Sequence, residues 1–320
     1  MSRIFAALSI FLLSSLVFLL LGSSFLISSD LLRSDMVEKY RSKNSFFYRL
    51  PSGALAHIRD EGNRDGPAIF LIHGSNASLH TWEPWVQEFG DSYRLISFDL
   101  PGHGLTGPTL EDDYTIDGMV RFTKEIADLF KLEKVILAGN SMGGSVSLKF
   151  ALDYPQNAKA LVLVSSGGMK RDETAEDVGA FSLTRSETAR GLMRYVTPRF
   201  LIGRTLRGVV ADPDNFVTDE MVTRYWELLR MTGSRDASIK RFAAYETRGA
   251  LEPQLGRIRA PALILWGMQD RLIPVTQGIR MAQTLPNSSI KVYANAAHLA
   301  HEEIPRETAT DTREFLENLN

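Results

Sequence analysis

The strongest constraint on the fold of this chain is a glycine-rich segment that lies between an apolar run and a helical pattern. Residues 138–144 read AGNSMGG and contain the pattern Gly-x-Ser-x-Gly, with Ser141 at its centre. The apolar run Val135–Leu137 predicts a strand before it, and helical spacing follows it. A sharp strand-to-helix turn strains the serine backbone, and side chains at Gly139 and Gly143 would collide with the neighbouring strand or helix. The segment therefore predicts an α/β fold with Ser141 as a candidate nucleophile.

The rest of the chain alternates apolar runs with helical patterns, which is typical of a mostly parallel sheet covered by helices on both faces. A hairpin is expected at its start, because two strand-like runs flank the turn residues 51–53, PSG. We therefore predict an eight-stranded sheet of the α/β class. The predicted strands are Phe46–Leu50, Leu55–Arg59, Ala68–Ile72, Arg94–Phe98, Val135–Leu137, Ala160–Val164, Ala262–Trp266 and Ile290–Tyr293.

One interval interrupts this alternation. Residues 167–255 contain no strand-like run, and three stretches within them have helical spacing: Glu187–Val196, Asp219–Met231 and Ser238–Thr247. Because a structureless loop of this length is uncommon in a compact domain, we predict a helical insertion. The main domain would then comprise residues 46–166 and 256–320, with the helical insertion at 167–255.

The N-terminal segment is apolar enough to cross a membrane. Ile4–Ile27 has no charged residue in 24 positions, and a bilayer span needs about 20 apolar residues. The run is longer than that of a cleavable signal, so residues 1–29 are predicted as an uncleaved anchor, although the small residues 22–24 leave cleavage open. Residues 30–45 are predicted as a polar linker. Basic residues after the segment favour a cytoplasmic domain, but the short leader favours the periplasmic or outer side, which we adopt.

Charge and cysteine content exclude several kinds of site. Lys and Arg number 36 and Asp and Glu 38, a net charge of -2, so no basic footprint for nucleic acid is present. The chain has no cysteine, which excludes disulfides and thiolate metal sites. We expect a small neutral or apolar ligand, and no metal or organic cofactor is implied.

A serine hydroxyl needs a base and an orienting carboxylate to become a nucleophile. Asp270 ends the segment WGMQD at residues 266–270, at the carboxyl end of a predicted strand, where ligand-facing loops gather. His298 follows the last predicted strand. The order Ser, Asp, His is the one expected for a nucleophile on such a turn. We therefore predict Ser141 as nucleophile, His298 as general base and acid, and Asp270 as the group that fixes the imidazole tautomer.

Other residues compete for these roles. His301 is an alternative base three positions after His298, and Asp270 has the alternative role of capping the helix after Pro274. Glu302 and Glu303 are expected to cap or solvate the last helix. Two further histidines are interpreted as loop or pocket-edge residues, namely His80 and His103.

The oxyanion needs two backbone donors. The amide of Met142 is the first, because it follows the nucleophile and starts a helix. The second is expected in the loop after Ala68–Ile72, where residues 73–76 read HGSN and the glycine allows a close approach to the nucleophile. We predict the amide of Ser75.

These motifs together resemble the α/β-hydrolase superfamily, in its serine-nucleophile, esterase- and lipase-like branch with a helical cap. The resemblance extends from Phe46 to the C-terminus and depends on HGS at 73–75, DLPGHG at 99–104, GNSMG at 139–143, WGMQD at 266–270 and His298. It implies that the segment 167–255 covers the pocket and that its aromatic and methionine side chains line a site for an apolar acyl or alcohol group.

The resemblance also separates the reactions that such a fold performs. Haloalkane dehalogenases and epoxide hydrolases have an aspartate at the position of Ser141, so both are disfavoured. The segment 139–155 resembles the hydrolases that cleave a carbon–carbon bond in products of aromatic ring opening. Those enzymes have a tryptophan after the catalytic histidine, where this chain has Leu299, and a cap arginine whose match would be Arg190 or Arg194.

From the sequence we expect a membrane-anchored hydrolase of carboxylic esters that works through an acyl-enzyme on Ser141. Carbon–carbon bond hydrolysis is the main alternative. A cofactor-free haloperoxidase and a non-catalytic binding protein of the same fold are further alternatives, because a fold does not determine a function.

Overall fold

A computed structural model describes residues 28–247 and 251–319, and its centre is an eight-stranded sheet. The strands are β1 (Ser45–Arg49), β2 (Leu55–Gly62), β3 (Ala68–Ile72), β4 (Arg94–Phe98), β5 (Val135–Asn140), β6 (Ala158–Val164), β7 (Ala262–Gly267) and β8 (Ser288–Tyr293). Their order across the sheet is β1-β2-β4-β3-β5-β6-β7-β8. Strand β2 is antiparallel to both of its neighbours, and the other pairs are parallel. The predicted fold class is confirmed.

Both faces of the sheet are buried. Alternate residues of a strand point to opposite sides, so each central strand contributes apolar side chains to both faces. In β3, Phe70 and Ile72 belong to one buried apolar cluster, whereas Ile69 and Leu71 belong to a second cluster on the opposite face. All five residues of β3 are buried. This arrangement explains why the central strands are continuous apolar runs in the sequence.

Helices connect the strands and cover both clusters. Outside the segment between β6 and β7 they are α1 (Arg33–Tyr40), α2 (Glu83–Phe89), α3 (Ile116–Leu129), α4 (Met142–Asp153), α10 (Val275–Thr284), α11 (Ala300–Glu303) and α12 (Pro305–Glu317). Helix α4 begins directly after Ser141, so the nucleophile candidate lies where β5 meets the start of this helix.

The segment between β6 and β7, which we call the cap segment (residues 167–255), is helical where it is described. Its helices are α5 (Glu187–Met193), α6 (Arg199–Gly208), α7 (Pro213–Phe216), α8 (Asp219–Leu229) and α9 (Ser234–Thr247). Periodicity predicted α5, α8 and α9 but not α6 and α7. A separate apolar cluster lies within this segment and includes Leu206, Val209 and Met221.

The stretch predicted as a polar linker is folded against the cap segment. Helix α1 buries Met36 in a small cluster with Leu105, Leu228 and Met231. The guanidinium of Arg33 donates to the carbonyl of Leu105 at 2.7 Å. Tertiary packing of these few apolar side chains therefore orders a stretch whose composition suggested a stalk.

The predicted membrane anchoring and outer-side location are not supported, and we correct that prediction. Residues 1–27, which carry the apolar run, lie outside the described residues. In the ranges 28–247 and 251–319 no helix is long and apolar enough to cross a bilayer. The longest helices there, α3 and α9, have 14 residues each, whereas a span needs about 20.

Candidate active site

Ser141 lies on a strained turn between β5 and α4. Its backbone has φ 54° and ψ -116°, a conformation that residues other than glycine rarely adopt. The two glycines that flank it permit the turn. A Cβ on Gly139 would lie 2.3 Å from the carbonyl oxygen of Gly143, and a Cβ on Gly143 would lie 2.1 Å from that of Ile72. The steric explanation drawn from the sequence therefore fits the structure.

His298 and Asp270 are paired. The imidazole Nδ1 of His298 donates to Oδ2 of Asp270 at 2.8 Å, and both residues are buried. The other carboxylate oxygen accepts from the backbone amides of Leu272 and Ile273 at 3.0 and 2.9 Å. The carboxylate is thus held in place from both sides, which leaves Nε2 of His298 as the nitrogen able to accept a proton.

The loop that carries His298 is attached to the cap segment. The amide of His298 donates to the carbonyl of Val209 at 3.0 Å. The carboxylate of Glu303 accepts from the amides of Ala297 and Leu299 at 3.0 and 3.2 Å through Oε1. Its Oε2 accepts from the amide of Ala211 in the cap segment at 2.7 Å. Glu303 is therefore not a solvating residue of the last helix, as the sequence suggested, because folding encloses its carboxylate among three amides.

Two predicted oxyanion donors have no competing partner. The amides of Ser75 and Met142 make no hydrogen bond to another described residue. The hydroxyl of Ser75 is also buried and has no hydrogen-bond partner among the described residues. Gly74 lets the loop approach the turn, since a Cβ there would lie 2.9 Å from Oδ1 of Asn140 and 3.2 Å from Cβ of Ser141. These donors are available to an anionic oxygen.

A buried pair of His57 and Asp99 supports the loop that follows β3. This pair was not predicted from the sequence. Nδ1 of His57 lies 2.7 Å from Oδ2 of Asp99, and both side chains are fully buried. The other oxygen of Asp99 accepts from the amide of Leu79, just beyond the loop, at 2.8 Å. Burial alone would raise the pKa of Asp99, but the charge and hydrogen bond of His57 hold it below its ordinary value.

Ser141 lies where two cavities of different character meet. The first has an empty volume of about 730 Å³, contains Ser75, Ser141 and His298, and is otherwise mostly apolar. Its apolar lining residues are Ala77, Ala180, Phe181, Met193, Ile202, Leu206, Val209, Leu229, Leu272 and Leu299. The second cavity also contains Ser75 and Ser141 and adds charged side chains, namely Arg171, Asp177 and Arg241.

Arg241 is the unusual member of the second cavity. Its side chain is buried, and it has no carboxylate partner in the described part of the chain. The guanidinium donates instead to neutral acceptors, to Oδ1 of Asn76 at 2.5 Å, to Oγ of Ser238 at 3.0 Å and to Nε2 of His103 at 2.8 Å. Its Nε is buried and has no hydrogen-bond partner among the residues that the structure describes. Burial lowers the pKa of Arg241 to about 9, so the side chain remains charged at neutral pH.

His103 accepts this hydrogen bond as a neutral ring. Its Nδ1 donates to the carbonyl of Pro101 at 2.9 Å, which leaves Nε2 as the acceptor. Burial and the positive charge of Arg241 place the pKa of His103 well below its ordinary value. His103 therefore contributes no charge that would balance Arg241. Asp177 does not balance it either, because its carboxylate is paired with Arg171 at 3.0 Å.

Most of the competing candidates lie away from the cavities. His301 is buried against the ring of Trp82, with Nε2 3.1 Å from the hydroxyl of Thr81. His80 is buried near Arg59. Neither Arg190 nor Arg194 lines a cavity that contains Ser141 in the described residues. Sequence reasoning missed Arg241, whose cap helix carries no motif that distinguishes it from other helical arginines.

The structure therefore brings the predicted site residues together at one place. Ser75, Ser141 and His298 share the first cavity, and Asp270 holds the histidine from behind. Within residues 28–247 and 251–319 no group of three or more side chains is arranged to bind a metal ion. The arrangement can activate a hydroxyl nucleophile and bind an oxyanion.

Comparison with known proteins agrees with this chemistry. Residues 67–305 match the profile of the alpha/beta hydrolase fold. The chain is 26% identical over 297 residues to a 2-hydroxy-6-oxononadienedioate/2-hydroxy-6-oxononatrienedioate hydrolase of Comamonas testosteroni. It is also 26% identical over 297 residues to a 2-hydroxy-6-oxo-6-phenylhexa-2,4-dienoate hydrolase of Burkholderia cepacia. Each match covers 88% of this chain and 100% of the relative.

A solved structure of a membrane phospholipase A, described as a bacterial virulence factor, has a similar fold. The TM-score is 0.74 at 21% identity, and the match covers 97% of this chain and 99% of that chain. At this identity the similarity concerns the fold alone.

Proposed function

Since the chain belongs to the alpha/beta hydrolase fold family, we propose that it is a serine hydrolase that cleaves a carbon–carbon bond next to a ketone in an acidic substrate. Ser141 would be the nucleophile, His298 the base and acid, and Asp270 the orienting carboxylate. The named activities of the relatives from Comamonas testosteroni and Burkholderia cepacia support this choice over the ester hydrolysis expected from the sequence.

The observation that carries the proposal is the buried charge of Arg241, which has no carboxylate partner among the described residues and lies in a cavity that also contains Ser141. A buried cation without an anionic partner costs several kcal/mol, and a bound anion would offset this cost. A neutral ester does not supply one. A 2-hydroxy-6-oxo-dienoate has a carboxylate at one end and a ketone further along the chain. The carboxylate would bind Arg241, and the group beyond the ketone would occupy the apolar cavity.

The proposed reaction begins with a shift of the substrate from its enol to its keto form. The 2-hydroxyl proton is lost and a proton adds at C5, which makes C5 a saturated carbon beside the C6 ketone. His298 takes the proton of Ser141, and the serine oxygen adds to C6. The ketone oxygen becomes an anion bound by the amides of Ser75 and Met142.

Collapse of this intermediate breaks the C5–C6 bond. The electron pair moves into the conjugated 2-oxo fragment, which takes a proton from the imidazolium of His298. The acyl group stays on Ser141 until a water, deprotonated by His298, attacks it. One water is consumed, and the products are a carboxylic acid and a 2-hydroxy-dienoate.

A second candidate is hydrolysis of a carboxylic ester by the same groups. Two observations favour it: the first cavity is predominantly apolar, and the residues after His298 are Leu299, Ala300 and His301, whereas the ring-cleavage hydrolases that the chain resembles have a tryptophan soon after the histidine. An ester needs no carbanion leaving group, so the triad and the oxyanion donors would suffice.

Assay of the full chain on both substrate classes tests the proposal. The dienoate 2-hydroxy-6-oxo-6-phenylhexa-2,4-dienoate would be followed by loss of its visible absorbance, and a series of nitrophenyl esters by release of nitrophenolate. We expect a higher kcat/KM for the dienoate, abolished in Ser141→Ala. Turnover of esters with no turnover of the dienoate would establish the second candidate instead.

A further inference from the structure

Three successive backbone amides around His298 are bound by two partners, the carboxylate of Glu303 and a carbonyl of the cap segment. The amides of Ala297 and Leu299 donate to one oxygen of Glu303, and the amide of His298 itself donates to Val209 in the cap segment. The second oxygen of Glu303 accepts from the amide of Ala211, also in the cap segment. The loop that carries the base is thus joined to the cap segment by two routes only two residues apart.

A carboxylate is well suited to this position. Hydrogen bonds from neutral N–H groups to an ionised acceptor are shorter and about twice as strong as those between neutral groups. A single side chain that accepts from two amides of one loop and one amide of another fixes the distance between the two backbones. The stretch 209–211 follows α6, whose residues Ile202, Thr205 and Leu206 line the apolar cavity. A movement of this part of the cap segment would therefore be transmitted to the loop of His298.

We propose that Glu303 is a positioning residue that couples the orientation of His298 to the closed position of the cap segment. This inference rests on the proposed role of His298 as the base. With the cap segment in place, the amide of Ala211 and the carbonyl of Val209 hold the histidine loop, so that His298 lines the same cavity as Ser141. If the cap segment moves away to admit substrate, both contacts are lost and the base loses its support.

The charge of Glu303 also acts on the imidazole. Three other titratable groups face the histidine loop. Asp270 binds Nδ1 of His298, and His301 interacts electrostatically with His298. Glu302 precedes Glu303 in the sequence and interacts with it electrostatically. Burial raises the pKa of Glu303, whereas its three amide donors and the charge of His298 act in the opposite direction. Glu303 and the histidine loop therefore interact electrostatically as well as through the backbone.

Two variants separate the parts of this role. Glu303→Ala removes all three amide contacts. Glu303→Gln keeps an oxygen for Ala297 and Leu299 but turns an NH2 group toward the amide of Ala211, which breaks only the link to the cap segment. The control is Glu307→Gln, which removes one negative charge at an exposed position of α12.

The readout is the rate at which a fluorophosphonate probe labels Ser141, together with kcat and KM for whichever substrate class the wild-type chain turns over. Misplacement of a catalytic group by about 1 Å can cost about 100-fold in rate, so we expect a labelling rate lowered by about 10- to 100-fold in Glu303→Ala and by less in Glu303→Gln. The loss should fall on kcat rather than KM. This division between kcat and KM, with a smaller loss in Glu303→Gln than in Glu303→Ala, is not expected from a purely structural role.

Hydrogen exchange verifies the coupling in the folded variants. The amide of Ala211 should exchange faster in both variants, and those of Ala297 and Leu299 only in Glu303→Ala. Labelling and exchange at wild-type rates in both variants, or an equal loss in Glu307→Gln, would overturn the inference alone. Absence of labelling in the wild-type chain would instead refute the proposed function, and the role of Glu303 with it.

Discussion

Replacing Arg241 by methionine tests the substrate class directly. The variant keeps an unbranched chain as far as the position of Nε but removes the charged end that lies in the second cavity. If this charge binds the substrate carboxylate, Arg241→Met should impair turnover of the acid and leave turnover of its methyl ester nearly unchanged. The comparison is made on one carbon skeleton, so that only the charge of the substrate differs.

The size of the effect follows from the environment of the guanidinium. A hydrogen bond to a charged group contributes about 1.5–3 kcal/mol, and truncating one partner of a buried charge pair costs about 2–5 kcal/mol because the other is left unpaired. A loss of about 3 kcal/mol corresponds to a decrease of about 150-fold in kcat/KM for the acid. The ratio of kcat/KM for acid and methyl ester should therefore fall by about two orders of magnitude.

The variant should remain folded. Removing a buried ion that has no charged partner among the described residues relieves a desolvation cost of several kcal/mol. In exchange, Nε2 of His103 loses its donor, a cost of about 1–3 kcal/mol, whereas Oδ1 of Asn76 keeps the hydroxyl of Ser238 at 3.1 Å. We expect the free energy of unfolding, measured by urea denaturation, to be within about 2 kcal/mol of wild type or higher.

Two further variants complete the test. Arg241→Lys keeps the charge but loses the planar fork of donors, so its acid-to-ester ratio should be intermediate. Arg194→Met removes an arginine of the cap segment that is paired with Asp236 at the surface, and it should leave the ratio unchanged. If Arg241→Met lowered kcat/KM for the acid and the methyl ester by the same factor, the charge would have no role in substrate recognition.

Further predictions concern catalysis and stability. Ser141→Ala should lower turnover of a nitrophenyl ester by about a million-fold, measured with enough enzyme to detect residual hydrolysis, and near-full activity would refute the assignment. Asp270→Asn should lower kcat by about 10⁴-fold through the wrong imidazole tautomer, with near-wild-type thermal unfolding. Gly143→Ala should abolish fluorophosphonate labelling and lower the melting temperature, because the added Cβ would lie 2.1 Å from the carbonyl oxygen of Ile72; wild-type labelling would contradict the turn geometry. Burial lowers the pKa of His301 from 6.5 to about 3. Between these pH values the unfolded chain binds a proton that the folded chain does not. The free energy of unfolding therefore decreases by up to about 1.4 kcal/mol for each unit by which the pH is lowered. Urea denaturation of His301→Gln between pH 7 and pH 4 should show a smaller loss, and an unchanged slope would exclude His301 as a source of it.

Local constraints made the sheet and the turn predictable. Strand β3 coincides with its prediction because all five of its residues are buried and apolar. Ser141 was recognisable because the steric need for Gly139 and Gly143 lies within two residues of it. His298 and Asp270 are 28 residues apart in the sequence. Because β7 and β8 are parallel neighbours, their carboxyl ends lie side by side, and these are the ends that Asp270 and His298 follow. Such features depend on neighbouring residues or on a topology that periodicity already indicates.

The features that distinguish the site arise from contacts that no local pattern encodes. Arg241 meets Asn76 across 165 residues, and Glu303 meets Ala211 across 92. In the sequence, Arg241 and Glu303 look like ordinary charged residues of helices, and such residues are usually exposed to solvent. Only the folded structure reveals that other segments of the chain enclose them. Enclosure changes their chemistry, because a buried charge must find hydrogen-bond partners or a counter-ion. Glu303 finds backbone amides of the chain itself, whereas Arg241 finds only neutral acceptors. The motifs thus predict a nucleophile, whereas our proposal of an acidic ketone rather than a neutral ester depends on the charge of Arg241, which has no counter-ion among the described residues.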